Sequence, residues 1–244
     1  MLTFILLCFI LVYGINTQSV TIVVASKHEN LDWIHKYLKG YDVKIYRADS
    51  NITGYYSLYE KGFEACQYLA YIINNYHNLS DYTIFIHAHS QSWHFRGQMY
   101  DLIPRLDYSK LEFANLNYEC YQKVVFDQRY NRLIESLYNK SIPSISHYCC
   151  AQFVVRKDRI LRNSLETYQT YDYWLQTIKE ENHYTSRVFE YTYHMIFGNS
   201  QYEEPYKNGV CDLIDCNPEE LKQKKILYTY RLNEDGEKIQ NNIH

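Results

Sequence analysis

The chain has 244 residues and a formal net charge of −3. That length suits one domain with a substantial core, or two small ones, and the slightly acidic balance disfavours a nucleic-acid partner. Tyrosine is frequent, at 28 residues, and its ring and hydroxyl suit packed cores and carbohydrate-facing surfaces alike.

Residues 1–14 read MLTFILLCFILVYG. The apolar run is shorter than a bilayer span and fits the core of a secretory signal peptide, ending near Gly14 or Thr17. An uncleaved signal anchor is the alternative. Val20–Ala25 is continuously apolar, as expected of a strand covered on both faces in a parallel sheet. The loop Ser26–Asn30 follows it, then a helical pattern from Leu31 to Leu38 stopped by Gly40. Ligands of open α/β sheets bind at the carboxyl ends of strands. Ala25, Ser26, His28, Glu29 and Asn30 are therefore the first candidates for substrate contact.

Val43–Arg47 reads as a second strand and 49–59 as a polar loop. From Lys61 to Tyr76 an apolar stripe of Ala65, Tyr68, Leu69, Ile72, Ile73 and Tyr76 predicts an amphipathic helix. Glu64 near its start reads as a carboxylate favoured by the helix dipole. Tyr82–His87 is the third strand, running into Ala88-His89-Ser90-Gln91-Ser92-Trp93-His94. His87, His89 and His94 form the densest ionisable cluster in the chain. They read as hydrogen-bonding or solvated groups, with His87-x-His89 alternatively a metal pair, since alternate strand residues point the same way. Trp93 beside His94 suits stacking on a sugar face.

A short helix is expected over Phe95–Leu102 and a strand over Leu111–Leu116. The stretch 117–140 is partly helical, with Arg129 and Arg132 as surface cations or phosphate partners. Cys149–Val155 reads as one buried strand, which would turn Cys149 and Cys150 to opposite faces and keep them from bonding each other. Ser164 is placed to cap a helix carrying Leu165, Tyr168, Tyr171, Leu175 and Ile178. A last helix starts at Thr185 or Ser186 and stops at Gly198. Glu190 and His194 share one face of it, as a catalytic pair or a buried structural one.

Beyond residue 200 the apolar content falls; one more helix or strand is expected over Glu219–Tyr230, and disorder after Arg231. Without Cys8, six cysteines remain, an even number that fits an oxidising compartment. Cys211 and Cys216 could clip a local turn. Sequons start at Asn51, Asn78 and Asn139.

Four blocks carry a family resemblance: Val23-Val24-Ala25-Ser26 with Glu29-Asn30-Leu31 and Trp33; Lys61-Gly62, Glu64-Ala65 and Tyr68-Leu69; Phe85-Ile86-His87 with Trp93-His94; and Cys149-Cys150-Ala151-Gln152-Phe153 with Glu190, His194 and Ile196-Phe197-Gly198. Together they resemble an uncharacterised eukaryotic family, domain-of-unknown-function family 3431, over residues 20–198. Tyr193 departs from it, standing where that family usually has Trp.

The family is similar in layout to A-type-fold glycosyltransferases. The resemblance implies an α/β single domain over 18–200, with a mostly parallel central sheet flanked by helices. A signal segment at 1–17 would precede it, and a polar, partly disordered extension over 201–244 would follow. It further implies transfer of a sugar from a nucleotide-sugar donor to a glycan or other hydroxyl acceptor; the N-terminal segment and the cysteines place this in the secretory pathway, either extracellular or in the ER/Golgi lumen. On that reading Glu190 is the base, oriented by His194. Ala25, Ser26, His28, Glu29, Asn30, His87, His89, Trp93, His94 and Gln152 contact substrate. Arg96 joins the histidines in offsetting leaving-group charge. A divalent metal is optional, since no Asp-x-Asp occurs in the chain. The alternatives are a metal-dependent hydrolase using His87 and His89, or a non-catalytic secreted carbohydrate-binding module.

Overall fold

The computed structural model describes residues 18–48, 56–57, 60–95, 97–217, 230–232 and 238–240. The expected signal segment, the Asn51 sequon, Arg96 and most of the 219–230 element lie outside these residues.

One six-stranded sheet organises the described chain. Its strands are β1 (Val20–Ser26), β2 (Asp42–Arg47), β3 (Tyr56–Ser57), β4 (Tyr82–His87), β5 (Phe113–Asn115) and, later in the chain, β8 (Phe153–Arg156). The spatial order is β3-β2-β1-β4-β8-β5. The first four strands in that order are mutually parallel, and β8 runs against both β4 and β5. The fold is therefore α/β with a mixed, mostly parallel sheet flanked by helices, as expected.

Side-chain alternation divides the interior in two. From β1, Val23 and Ala25 enter one core while Ile22 and Val24 enter the other. Phe85 on β4 and Phe153 and Val155 on β8 join the first; Ile84, Ile86 and Val154 join the second. The first core is closed by α2 (Glu64–Asn75), α4 (Gln128–Tyr138), α6 (Leu165–Thr177) and α7 (Asn182–Ile196). The second lies under α1 (Asp32–Tyr37) and α3 (Met99–Leu102). Each large apolar side chain buried this way contributes about 1.5–3 kcal/mol. Tyr193 keeps an aromatic place, its ring 4.8 Å from Phe153 and 6.0 Å from Tyr68.

Ser164 caps α6 as expected, its hydroxyl accepting from the Thr167 N–H at 3.2 Å. Helix α7 starts three residues earlier than Thr185, at Asn182. The partly helical stretch 117–140 holds α4 and also β6 (Tyr121–Val125), which pairs antiparallel with β7 (Ser144–Tyr148) beyond it. Of the strand expected over Cys149–Val155, only Phe153–Val155 is strand, within β8, because residues 149–152 form a turn between β7 and β8. Short α5 (Lys157–Ile160) follows β8.

The boundary drawn at residue 200 does not coincide with the packing. Leu213 and Ile214 are fully buried, Ile214 bridges to Leu106, and Tyr202 bridges to Ser146. Cys211 and Cys216 form a disulfide there. Past Arg231, where disorder was expected, Lys238–Gln240 (β10) pairs antiparallel with Tyr230–Leu232 (β9), since backbone pairing needs no apolar content. Asn78 and Asn139 are exposed. Among the described residues no helix is long and apolar enough to cross a membrane.

Gly62 shapes the entry to α2. Its φ is +67°, and a Cβ there would lie 2.6 Å from Cδ1 of the fully buried Leu175. Gly62→Ala is expected to lower the unfolding free energy by about 1–2 kcal/mol from the left-handed backbone alone, with the Leu175 clash adding to it. Urea unfolding of the variant checks this, and an unchanged midpoint would contradict it.

Candidate functional site

Helix α1 packs on one face of the sheet and α2 on the other. The chain therefore reverses its winding between β1 and β4. A crevice opens outside the carboxyl ends of strands at such a switch point. Here it is a cavity of about 260 Å³, walled by Ala25 and Ser26 from the end of β1, Ala48 after β2, His87 and His89 at β4, and Glu64 and Gln67 on α2. Lys27, Glu29, Glu60 and Phe63 complete the wall.

Local hydrogen bonds hold the β1 loop in place. One carboxylate oxygen of Glu29 accepts from the Ser26 hydroxyl at 3.0 Å and from the Lys27 N–H at 2.6 Å. Burial works to raise the Glu29 carboxyl, but these donors and nearby His89 outweigh it and hold the group below its ordinary value. The Gln67 side chain donates to the Ser26 carbonyl at 3.1 Å, tying α2 to β1. Lys27 pairs with Glu60 across the opening. Asn30 instead closes a local turn before α1, its Oδ1 accepting from the Asp32 N–H at 2.7 Å, and exposed His28 is not part of the cavity wall.

The histidines converge. Ring centroids lie 5.1 Å apart for His87 and His89, 5.9 Å for His87 and His94, and 5.8 Å for His89 and His94. Gln152 accepts from the His87 backbone N–H at 3.1 Å and donates to Asn117 Oδ1 at 3.1 Å. That same Oδ1 lies 3.1 Å from Nδ1 of His94. Trp33 on α1 anchors the loop from the other side, its indole N–H donating to the Ala88 carbonyl at 2.6 Å. Burial holds all three imidazoles neutral: it takes His87 well below its ordinary range and His94 down to about 4, and it lowers His89 against the pull of Glu29. Trp93 stands edge-on to His94 but is 44% exposed and outside the cavity wall.

Glu190 sits behind the cavity and not on its wall. Its Oε1 accepts from the Cys150 N–H at 2.9 Å. Cys149 and Cys150 are disulfide-bonded to each other, against expectation. They lie in the turn, not on a strand. Cys150 (φ 72°) and Ala151 (φ 45°) take left-handed backbone, so the two side chains are not sent to opposite faces. The Tyr68 hydroxyl donates to the Ala151 carbonyl at 3.1 Å, locking that turn to α2.

His194 does not orient Glu190. Its Nε2 donates to the Gln201 carbonyl at 3.3 Å, its ring stacks on His147, and burial lowers it to about 4. The charges that reach Glu190 are those of Arg187 and His183. Arg129 is likewise engaged, paired with Glu180 at 2.6 Å and lying over the Tyr184 ring.

Glu64, expected only as a carboxylate favoured by the helix dipole, has a different setting. It lines the cavity, and burial, reinforced by the charge of Glu190, pushes its carboxyl up to about 8. Glu190 is raised too, chiefly by burial, but the Cys150 N–H and Arg187 favour its ionised form. Two adjacent carboxyls thus have different proton affinities, the pattern that separates acid from base in a site. A carboxylate in the first turn of a helix looks the same in sequence whether it faces solvent or a cleft.

A family model described as "Protein of unknown function (DUF3431)" matches residues 22–130 and 117–212. No curated protein matches the chain. Among solved structures, the apo structure of the bifunctional glycosyltransferase WbbM aligns with a TM-score of 0.35 and 12% identity, covering 78% of this chain and 44% of that one. The chain thus spans less than half the length of that protein.

Proposed function

The chain belongs to the DUF3431 family of proteins of unknown function, and from that premise we propose that it transfers a sugar from a nucleotide-sugar donor to a hydroxyl acceptor in the switch-point cavity. The observation that carries this reading is Glu64: a carboxyl on the cavity wall with a proton affinity near neutrality, beside the loop after β1. A general base works best with a pKa near the operating pH. Glu64 takes the proton of the acceptor hydroxyl, and Glu190, which does not line the cavity, raises the basicity of Glu64 by its charge. Lys27, on the cavity wall, offers positive charge to a diphosphate. Ala25, Glu29, His87 and His89 complete the contact surface, with His94 and Gln152 supporting them from behind. The family's A-type likeness agrees with a donor site at this rim.

We also propose a secretory-pathway location, supported by the two disulfides. Metal-dependent hydrolysis in the same cavity is the second reading, favoured by the three converging histidines; water in place of an acceptor would then receive the sugar or acyl group.

Thermal shift against nucleoside diphosphates and nucleotide sugars tests the first reading. A matching donor at about 100 times its dissociation constant adds about 2.7 kcal/mol of stability. If every nucleotide leaves the melting temperature unchanged while a free sugar raises it, the transfer reading fails and a carbohydrate-binding module takes its place.

A further inference from the structure

We propose that His87, His89 and His94 bind one divalent transition-metal ion of the zinc class at the inner end of the cavity. Each of the three offers a ligand nitrogen, and these atoms lie within 4.8 Å of one another. Zinc–nitrogen bonds of about 2.0–2.1 Å set tetrahedral nitrogens roughly 3.4 Å apart, so the rings close in by about an ångström or less. His87 and His89 lie on the cavity wall, so an ion held there meets whatever the cavity binds.

Two features separate this cluster from histidines that merely pack. First, Nε2 of His87 and Nε2 of His89 are both buried without a hydrogen-bond partner. A buried polar atom left unpaired is unfavourable, and two side by side are hard to explain without a shared ligand. Second, the tautomer of His94 is set from outside. Asn117 Oδ1 already accepts from the Gln152 amide, which identifies it as the oxygen, and it faces Nδ1 of His94. Nδ1, which also has the Ser92 hydroxyl at 3.1 Å, is thus set to donate to Asn117, leaving the lone pair on Nε2. Metal-ligating histidines are oriented in this way by an acceptor on the other ring nitrogen. The Asn117 amide in turn donates to the Cys149 carbonyl at 2.8 Å, so the vicinal-disulfide turn supports the arrangement.

The donor set also selects the ion. Three imidazoles suit zinc and its neighbours, whereas magnesium and calcium prefer oxygen. Glu29, on the same cavity wall as His87 and His89, supplies compensating negative charge. Binding at this site is independent of whether the cavity performs transfer or hydrolysis; only a role for the ion in transfer rests on that earlier reading.

The test is zinc titration of the full chain after chelator treatment, followed by calorimetry and elemental analysis. One zinc per chain is expected, with no comparable binding of magnesium or calcium. His89→Ala and His89→Gln should each abolish stoichiometric binding and the visible bands of the cobalt-loaded protein. Asn117→Ala, which removes the acceptor that orients His94, should weaken zinc about 10–100-fold, and His28→Ala, outside the cluster, should leave it unchanged. Failure of the wild-type chain to bind zinc, or undiminished binding by folded His89 and Asn117 variants, overturns the site. The nucleotide thermal shift is read separately on the chelated protein. Zinc binding without a nucleotide response keeps this site and removes the transfer reading, and the reverse removes the site alone.

Discussion

Glu64→Gln is expected to lower the rate of sugar transfer by about 10²–10⁴-fold, the usual contribution of a positioned general base. Nucleotide binding should change little, because the diphosphate contacts come from the loop after β1. The wild-type rate, measured on metal-free protein, should rise with pH through about 8, where burial and the neighbouring charge of Glu190 place the Glu64 carboxyl. Glu190→Gln supplies the discriminating readout. It removes the like charge, so the ionisation of Glu64 becomes easier and the rising limb moves to lower pH. A merely structural Glu190 would reduce activity evenly at all pH values. Full activity in Glu64→Gln would exclude the carboxyl from the chemistry.

Acid should destabilise the fold well above the range of ordinary carboxylates. His147 and His194 are stacked and buried, and each is lowered from 6.5 to about 4, chiefly by burial; for His147 the neighbouring His194 adds to it. Between those values the unfolded chain takes up protons that the folded chain refuses. Stability is therefore complete above about 6.5 and is lost as pH falls towards 4, by at most about 1.4 kcal/mol per pH unit for each histidine. Two such groups remove a large share of a typical 5–15 kcal/mol. His87, His89 and His94, also lowered by burial, act in the same direction. The raised carboxyls of Glu64, Glu190 and Glu203 work the other way, making stability fall as pH rises above about 4.5. Urea unfolding at half-unit steps from pH 7 to 4 checks this. His194→Gln should flatten the slope, and a wild-type curve already flat between 6.5 and 4.5 would show that these histidines are not held neutral.

Several elements were legible because one local pattern decides them. The β-branched run at Val20–Ala25, with Thr21 its one polar member, has the pattern of a strand covered on both faces, and it feeds both cores. The stripe from Ala65 to Ile72 lay on one face of α2 whatever it packed against. His87-x-His89 put two imidazoles on one side of a strand end.

The turn at 149–152 was not legible, for a reason of the same kind. A run of small and apolar residues looks like a strand unless left-handed backbone at Cys150 and Ala151 is known in advance. The pairing of Glu190 with His194 also failed, since i, i+4 spacing allows a contact without choosing it over the Gln201 carbonyl.

The sequence by itself determined the parallel α/β framework, its two-sided burial and the strand ends from which ligand-facing groups would come. Only the tertiary structure decided that Ser26, Glu64 and His87 share a cavity, that His94 completes a cluster with His87 and His89, and that Glu64 feels the charge of Glu190. Periodicity reports which face of an element is buried. Desolvation and charge–charge coupling act through space between residues far apart in the chain, and no local pattern encodes them.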